Sequence, residues 1–362
     1  MSPSPAAAPV AGDEQQVALV LELLTESFEV EGGHLSGSAI ADKLGLSRQA
    51  LLRHLNALRA LGYAFQAMPG AGYKLVGVPD SVGAAVLAPL LGSLGLGLPI
   101  HSAAVLSSTN DEAHRLAAEG APHGALVVAD AQSSGRGRRG RTWVTPPGTA
   151  LALTLVLRPD LPPSRAPELQ LVAAVAVCEA ARALGAGKAA IKWPNDVECG
   201  GRKLAGLLAE LRAGGDRLEH VVLGIGLNVN LTGEQLGEQL WEQLPPEQRG
   251  LATSLRLERG SPVPRAWALY RLLARLEAWL ALHESEGFAP VRARFCELSS
   301  TLGRRVRIES GVSGVGGEQA GQGLQGEALD LGEDGALLVK DDAGTVHRIN
   351  AGDVVHLRTS AP

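Results

Sequence analysis

Apolar and polar positions at the start of the chain follow first the period of helices and then that of strands. Helical spacing is present in QQVALVLELLTESF (15–28), SGSAIADKLG (36–45) and SRQALLRHLNALRALG (47–62). Gly45 is placed to end the second helix, and Ser47 to cap the third. The segments YAFQAM and YKLVG, joined by the turn PGAG, predict a β-hairpin. Residues 15–78 therefore predict a winged helix-turn-helix domain.

The third predicted helix has one apolar and one polar side. Leu51, Leu55 and Leu58 line the apolar side, whereas Leu52 and Arg59 face outward with the polar residues. Between residues 36 and 78 there are five basic residues and one acid, a local net charge of +4 in a chain of net charge −5. A small helical adaptor with a solvated basic face is the alternative to a DNA-binding domain. We predict DNA contacts from residues of the third helix and the hairpin: Arg48, Gln49, Arg53, Asn56 and Lys74.

The rest of the chain divides into a connector, a long segment and a short one. Residues 79–100 are apolar with interspersed glycine and proline, which predicts one helix and a linker. From 101 to 300, strands such as ALVVAD, ALALTLVLRP, LAGLLAELR and HVVLGIGLNV alternate with helices such as PELQLVAAVAVCEAARALG. This alternation predicts a mixed sheet flanked by helices. Residues 301–362 contain five short strands, typical of a small β-barrel. The fold class is therefore α+β.

Composition narrows the class of protein. The 362 residues are 45% hydrophobic and 20% charged, which fits two or three globular domains. The three cysteines, Cys178, Cys199 and Cys296, are too far apart for a disulfide framework or a metal-binding motif. We find neither the pattern of a signal peptide nor an apolar run of 18 or more residues. The expectation is a soluble, cytoplasmic protein without a membrane partner.

The segment AQSSGRGRRGRTW (131–143) has four arginines and three glycines and directly follows the predicted strand ALVVAD. Ligands of α/β sheets bind at the carboxyl ends of strands. Arginine forks bind phosphate and carboxylate oxygens, and glycines let the backbone come close to a ligand. We expect the empty loop to be loose and the ligand to order it. The spacing is not that of a Walker A loop, so a nucleotide, RNA or mere solvation all remain open.

Four further segments carry polar residues at the ends of predicted elements. In IKWPND (191–196), Lys192 ends a short strand, and Asp196 either binds Mg²⁺ or caps a turn. In GRKLAGLLAE (201–210), Lys203 enters a strand with small residues, and GIGLNVN (224–230) ends on Asn228. The segment SSTND (107–111) precedes a helix and holds donors for a small polar group. Turn, packing and capping roles are the alternatives for each.

The order of these segments is more specific than any one of them. The chain reads SSTN, then Q-x-x-GRGRRGR-x-W, KWPND, RKLAG and G-x-G-x-N, and in this it resembles the biotin–protein ligase family. With a winged helix-turn-helix in front, it is similar to the bifunctional form, a ligase and biotin operon repressor in one chain. The resemblance covers nearly the whole sequence. It implies a central domain like that of class II synthetases and a C-terminal SH3-like barrel.

The resemblance also implies a two-step reaction and roles for named residues. Biotin attacks the α-phosphate of ATP, with Mg²⁺ assisting, and biotinyl-5′-AMP then reacts with a lysine of the biotin carboxyl carrier protein of acetyl-CoA carboxylase. Biotin-binding residues would be Ser108, Thr109, Asn110, Gln132, Arg136, Gly137, Arg138 and Lys192. Of these, Arg136, Arg138 and Lys192 would be catalytic. ATP-binding residues would be Arg141, Lys203 and Asn228.

Regulation follows from the same resemblance. Biotinyl-AMP would promote a homodimer, which would bind a palindromic biotin operator and repress the biotin synthesis genes. For the dimer contact we predict an exposed strand of the central domain, HVVLGIGLNV or its neighbour. Trp241 is a candidate to cover adenine. A ligand-sensing transcription factor without catalysis is the alternative, and it would lack the loop arginines or Lys192. An RNA-binding protein would need more aromatic residues than the 3% present.

Overall fold

The computed structural model of this chain describes residues 11–26, 28, 33–214, 217–236, 252–309, 323–350 and 352–357. The helices are α1 (Ala11–Thr25), α2 (Gly37–Leu44), α3 (Arg48–Ala60), α4 (Ala84–Leu91), α5 (Thr109–Ala118), α6 (Ala166–Ala183), α7 (Leu255–Arg259), α8 (Arg265–Glu286) and α9 (Ala289–Leu298). The strands are β1 (Ala64–Met68), β2 (Gly72–Gly77), β3 (Ile100–Leu106), β4 (Leu126–Gln132), β5 (Ala150–Leu157), β6 (Ala189–Lys192), β7 (Asp196–Cys199), β8 (Arg202–Gly214), β9 (Arg217–Asn228), β10 (Arg305–Glu309), β11 (Gln325–Leu331), β12 (Leu337–Lys340), β13 (Val346–Ile349) and β14 (Asp353–His356).

The N-terminal domain has the three helices and the antiparallel hairpin β1–β2 that its sequence predicts. Gly45 ends α2 in the left-handed region (φ 64°), a conformation that costs glycine little. The Ser47 hydroxyl accepts a hydrogen bond from Ala50 N at 3.1 Å, so the predicted cap of α3 is confirmed. The leucines of the predicted apolar side of α3 are buried.

The segment predicted as a connector holds α4, which packs against α1, α8 and β3. The Tyr63 hydroxyl donates to the Val86 carbonyl at 2.7 Å, joining the end of α3 to α4. Phe28 meets Trp267 of α8 edge-on, with ring centroids 4.8 Å apart. The N-terminal domain is therefore packed on the central domain over a shared apolar contact.

The central domain is a seven-stranded mixed sheet in the order β3-β4-β5-β9-β8-β7-β6. Only β3 and β4 pair in parallel; the other neighbours are antiparallel. The prediction that HVVLGIGLNV is an exposed strand is wrong, because this segment is β9, which pairs with β5 on one side and β8 on the other. Its continuous apolar run is typical of a strand with both faces buried.

Helices cover both faces of this sheet. On one face, α5 packs on a small apolar cluster that includes Val127, Val156 and Val222. On the other, α6 and α8 cover the intervening residues of the same strands, among them Leu126 and Leu155. Further along the α5 face, β9 carries Gly224 and Gly226 in place of large side chains, because alternate residues of a strand share a face. The sheet is thus left open beyond the N-terminus of α5.

The C-terminal domain has the five expected strands, in an antiparallel sheet ordered β13-β12-β11-β10-β14. It contacts the central domain at Trp193, whose indole nitrogen donates to the Gly335 carbonyl at 3.1 Å. The Trp193 backbone nitrogen donates to the Thr301 hydroxyl at 3.1 Å. These two bonds fix the C-terminal domain against the end of β6. Among the described helices, none has the length and apolar character needed to cross a bilayer.

Candidate active site

A cavity of about 280 Å³ lies over the open part of the central sheet, between the N-terminus of α5 and the C-terminal domain. All twelve residues predicted for biotin, ATP and Mg²⁺ line it: Ser108, Thr109, Asn110, Gln132, Arg136, Gly137, Arg138, Arg141, Lys192, Asp196, Lys203 and Asn228. They come from segments up to 120 residues apart. The sequence shows the order of these side chains along the chain, and the fold brings them together around one cavity.

One end of the cavity is a compact set of buried polar groups. Ser108 caps α5 through Asp111 N, and Thr109 donates from both its nitrogen (2.9 Å) and its hydroxyl (3.2 Å) to Gln132 Oε1. Asn110 Oδ1 accepts from the Thr154 hydroxyl at 2.7 Å. Buried polar groups of this kind are costly unless paired, and here each orients the next. This end can recognise a small planar group with both donors and acceptors.

The sheet under this end must carry glycine. A β-carbon added to Gly224 would lie 2.2 Å from Asn110 Oδ1, closer than any non-bonded contact allows. The absence of a side chain at this position of β9 is therefore what makes room for the Asn110 amide.

The arginine loop follows β4 and folds back on itself. Gly137 N donates to the Arg141 carbonyl at 2.7 Å, and Trp143 N donates to the Gly135 carbonyl at 2.8 Å. Arg139 has a left-handed backbone (φ 57°) at the tip. The loop thus forms a narrow turn above the cavity. That a ligand orders it stays a prediction.

Carboxylates hold the loop from two sides. Arg136 lies 2.5 Å from Asp111 and 3.6 Å from Glu210, both in the central domain. Asp353, in the C-terminal domain, lies 3.6 Å from Arg138 and 3.5 Å from Arg139 and also pairs with Arg141. Asp353 is more than 200 residues from the loop along the chain and is part of no motif, so the sequence did not predict this contact. The loop therefore carries three positive charges around one acid.

Arg138 is the most enclosed of these arginines. Its guanidinium donates to Asn195 Oδ1 at 3.2 Å and to the Gly352 carbonyl at 3.1 Å. Burial, reinforced by the neighbouring Arg139, lowers the pKa of Arg138. Desolvated positive charge of this kind favours an anion inside the cavity.

Lys192 ends β6, as predicted, and faces the cavity beside Trp193. His356 of β14 lies behind it and bonds the Thr301 hydroxyl at 3.2 Å. Burial first, and then the charges of Lys192 and Arg304, lower the pKa of His356 to about 4. His356 is therefore neutral at ordinary pH and adds no positive charge beside Lys192.

The opposite end of the cavity has an aromatic floor that sequence reasoning missed. The Trp143 indole lies over the paired glycines Gly206 and Gly226; a β-carbon on Gly226 would be 2.3 Å from its ring. Lys203 Nζ is 5.6 Å from the ring centroid. Asn228 Nδ2 donates to the Thr253 carbonyl at 3.0 Å and fixes the edge of this end. The signal was present: two glycines on adjacent strands and a tryptophan just after the loop.

Two predicted residues need separate comment. Trp241, the candidate to cover adenine, lies outside the described residues. Asp196 Oδ1 is buried and lies 2.7 Å from Lys203 Nζ, and its role as a Mg²⁺ ligand stays a prediction. Among the described residues, no group of three His, Cys, Asp or Glu side chains could hold a metal ion.

The predicted DNA-binding side chains lie on α3 and β2 of the N-terminal domain. Arg48, Gln49, Arg53 and Asn56 are exposed on α3, and Lys74 is half-buried on β2. Arg53 pairs with Asp13 at 3.2 Å, and Asn56 accepts from Arg59 at 2.9 Å. Leu52 is 40% exposed among them, as predicted.

Comparison with known proteins agrees with this site. Residues 102–228 match the model of the biotin/lipoate A/B protein ligase family, residues 21–74 an HTH domain, and residues 301–357 the biotin protein ligase C-terminal domain. The bifunctional ligase/repressor BirA of Bacillus spizizenii is 34% identical over 332 residues, which cover 91% of this chain and 97% of that protein. BirA of Escherichia coli is 33% identical over 302 residues, covering 83% and 89%.

A solved structure shares the fold. The biotin protein ligase from Aquifex aeolicus in complex with biotin and ATP superposes with a TM-score of 0.58 and 26% identity, covering 72% of this chain and 99% of that one. With the cavity, the loop and the three domains in the same order, the chain belongs to the biotin protein ligase family, in its form with an N-terminal DNA-binding domain.

Proposed function

We propose that this chain is an ATP-dependent biotin–protein ligase that forms biotinyl-5′-AMP and transfers biotin to a lysine of the biotin carboxyl carrier protein of acetyl-CoA carboxylase. The observation that carries the proposal is the layout of the cavity. Buried polar groups lie over Gly224, a tryptophan lies over Gly226, and Lys192 and the arginine loop line the same cavity. This set of groups matches the ureido ring, adenine, carboxylate and phosphate of biotinyl-5′-AMP.

In the first step the biotin carboxylate attacks the α-phosphorus of ATP, and pyrophosphate leaves. Ser108, Thr109, Asn110 and Gln132 hold the ureido end, which fixes the carboxylate beside Lys192. Negative charge concentrates on the α-phosphate oxygens as the new bond forms, and the Lys192 ammonium is preorganised to meet it. Arg136 and Arg138 add charge from above. Because the cavity lowers the local dielectric, these interactions count for more than they do in water.

The nucleotide end holds AMP through different contacts. Trp143 offers a flat face for adenine, and aromatic stacking of a base is worth about 1–3 kcal/mol. Asn228 and Lys203 line the same end, and Arg141 lies on the phosphate side. Asp196, which also lines the cavity, would hold Mg²⁺, and the ion would supply positive charge beside the phosphates.

In the second step the acceptor lysine attacks the acyl carbon of the anhydride and AMP leaves. Between the steps the arginine loop shields the anhydride, since water entering the cavity would hydrolyse it. The contacts of Asp353 with the loop make the C-terminal domain part of this closure. Catalysis and retention of the intermediate therefore depend on the same segment.

The experiment is acceptor labelling. Protein, ATP and radiolabelled biotin are incubated with apo-carrier protein, and with a carrier whose acceptor lysine is changed to arginine as control. We expect label on the apo-carrier alone, and only with ATP. A ligand-sensing protein without catalysis would bind biotin and leave both carriers unlabelled.

We also propose that the chain is a biotin-responsive repressor that binds operator DNA. The exposed basic side of α3 supports this, because its net positive segment stands out in an acidic chain. One recognition helix makes few contacts, and repressors of this architecture bind two half-sites as dimers. We therefore propose that biotinyl-AMP promotes a homodimer through the central domain.

The strand for this dimer contact is β8 rather than β9. The pairing of β8 with β7 ends at Gly206, whereas its pairing with β9 continues to Gly214. Leu211, on this outer stretch, is 49% exposed. Arg136 of the loop lies 3.6 Å from Glu210 on the same stretch, so a ligand that moves the loop acts next to the contact.

Sedimentation and operator binding at fixed salt, with and without biotinyl-AMP, test the repressor. We expect dimerisation and tighter operator binding with the adenylate, and Leu211→Lys should suppress both while leaving acceptor labelling intact. If the adenylate changes neither, the ligase proposal stands alone.

A further inference from the structure

We propose that Glu210, the last residue of GRKLAGLLAE and one to which the sequence assigned no role, is a positioning residue that ties recognition of the ureido ring to the arginine loop. This inference rests on the proposed ligase function. Glu210 lies on β8, on the side of the cavity where Asn110, the loop and α5 meet. Its side chain is 35% exposed, so it is neither a core residue nor a freely solvated one.

A single oxygen of Glu210 has three partners. Asn110 Nδ2 donates to Oε2 at 2.6 Å, a short charge-assisted hydrogen bond. Arg136 Nη2 lies 3.6 Å and His114 Nε2 3.9 Å from the same atom. Asn110 lies in the polar end of the cavity and Arg136 in the loop, so one carboxylate connects the two halves of the biotin site.

The bond between Asn110 and Glu210 is the shorter of the two hydrogen bonds that the Asn110 amide nitrogen donates, and it helps to set which way the amide faces. The two ends of an asparagine amide have nearly the same shape, and only their partners distinguish oxygen from nitrogen. The Thr154 hydroxyl donates to Oδ1 at 2.7 Å, and Glu210, which can only accept, requires the nitrogen on its side. Without Glu210 the amide nitrogen keeps only its longer hydrogen bond to the Leu208 carbonyl, at 3.4 Å. The NH₂ group and the oxygen of Asn110 would then be held less firmly in the orientation that matches a ureido ring.

The contact with Arg136 acts on the loop. Arg136 has two carboxylate neighbours, Asp111 and Glu210, and the Glu210 carboxylate also accepts a hydrogen bond from Asn110 of the polar end. Whatever shifts Asn110 when biotin binds is therefore transmitted to the first arginine of the loop through one atom. Loop closure over the adenylate should accordingly depend on the Glu210 charge even when biotin is bound.

Two substitutions separate these roles. Glu210→Gln keeps the shape and an acceptor oxygen for Asn110 but removes the charge beside Arg136, whereas Glu210→Ala removes both. Glu219→Gln is the matched control: Glu219 is 51% exposed on the adjacent strand β9 and pairs with Arg212, away from the cavity. Thermal melting of all three variants reports on folding.

The test combines biotin calorimetry without ATP, KM values for biotin and ATP, and the rate at which preformed biotinyl-AMP escapes. We expect Glu210→Ala to weaken biotin binding by about tenfold, the usual size for a lost charged hydrogen bond, with KM for ATP within about threefold of wild type. Glu210→Gln should keep biotin affinity within about threefold and release the adenylate at least about fivefold faster.

Three results would overturn the inference. Biotin affinity unchanged in Glu210→Ala removes the role at Asn110, and adenylate retention unchanged in Glu210→Gln removes the role at the loop. Equal losses for biotin and ATP together with a lowered melting temperature would make Glu210 a merely structural residue. Biotin calorimetry needs no catalysis, so a wild-type protein that binds biotin but forms no adenylate would refute the proposed ligase and still allow the Asn110 role to be decided.

Discussion

Alanine at two glycines of β9 should damage the two ends of the cavity separately. Gly224 and Gly226 are two residues apart on one strand and therefore face the same side of the sheet. Neither has a positive φ among the glycines of the described chain, so alanine is compatible with the backbone at both. The effect of each substitution should come only from what its new methyl group meets.

The structure gives the size of the collision. The β-carbon at 224 would lie 2.2 Å from Asn110 Oδ1, and that at 226 would lie 2.3 Å from Trp143 Cε2. Ordinary contacts begin roughly 1 Å further out, so Asn110 or Trp143 must move. Overpacking of this kind costs about 1–3 kcal/mol, which corresponds to about 5–150-fold in an equilibrium constant.

Each substitution should weaken the binding of the ligand whose site contains the displaced side chain. For Gly224→Ala we expect the Kd of biotin, measured by calorimetry without nucleotide, to rise about 5–150-fold, and KM for ATP to change less than about threefold. For Gly226→Ala we expect the reverse. Gly187→Ala is the control, because its β-carbon meets nothing within 4 Å. If both cavity variants weaken the two ligands equally, the division of the cavity into a biotin end and a nucleotide end is wrong.

Three further substitutions test the charged groups. Lys192→Ala should lower kcat of pyrophosphate release by about 10²–10³ with a smaller effect on biotin binding, because its charge matters most at the transition state; activity within a few-fold of wild type would contradict this. Arg138→Ala should let biotinyl-AMP escape without lowering the melting temperature, which a filter assay of retained adenylate checks. His356 has a folded pKa of about 4, below the ordinary value of about 6.5, so the unfolded chain binds more protons between these pH values and stability falls as pH falls through that window. His356→Gln should flatten this dependence in melting curves, and an unchanged slope would show that other groups cause it.

Local sequence chemistry predicted the N-terminal domain well. The cap at Ser47, the left-handed Gly45 and the buried leucines of α3 each depend on neighbours within a few residues. Because each of these features depends only on residues within one segment, the sequence alone predicts it.

The central sheet shows where a pattern was misread. The run HVVLGIGLNV has no alternation of apolar and polar residues, which indicates a strand buried on both faces. It is interior, and so is the inner half of β8, whereas the outer stretch of β8 extends beyond its pairing with β7 and exposes Leu211 and Arg212.

Two acidic residues that contact the arginine loop could not be predicted from the sequence, for a different reason. Asp353 reaches the loop from the C-terminal domain, and Glu210 reaches it across the sheet. Neither acid has a local pattern that distinguishes it from a solvated carboxylate. Their partners are set by the packing of domains, which depends on contacts between residues far apart in the chain.

The central claim, that one cavity both makes and keeps biotinyl-AMP, is tested most directly by trapping the intermediate. Protein is mixed with biotin and ATP labelled at the α-phosphate, without acceptor, and passed through a desalting column. We expect close to one equivalent of labelled biotinyl-AMP on the protein, and we expect the label to be released as AMP when apo-carrier is added. Absence of bound adenylate in the wild type, or adenylate that apo-carrier does not discharge, would contradict it.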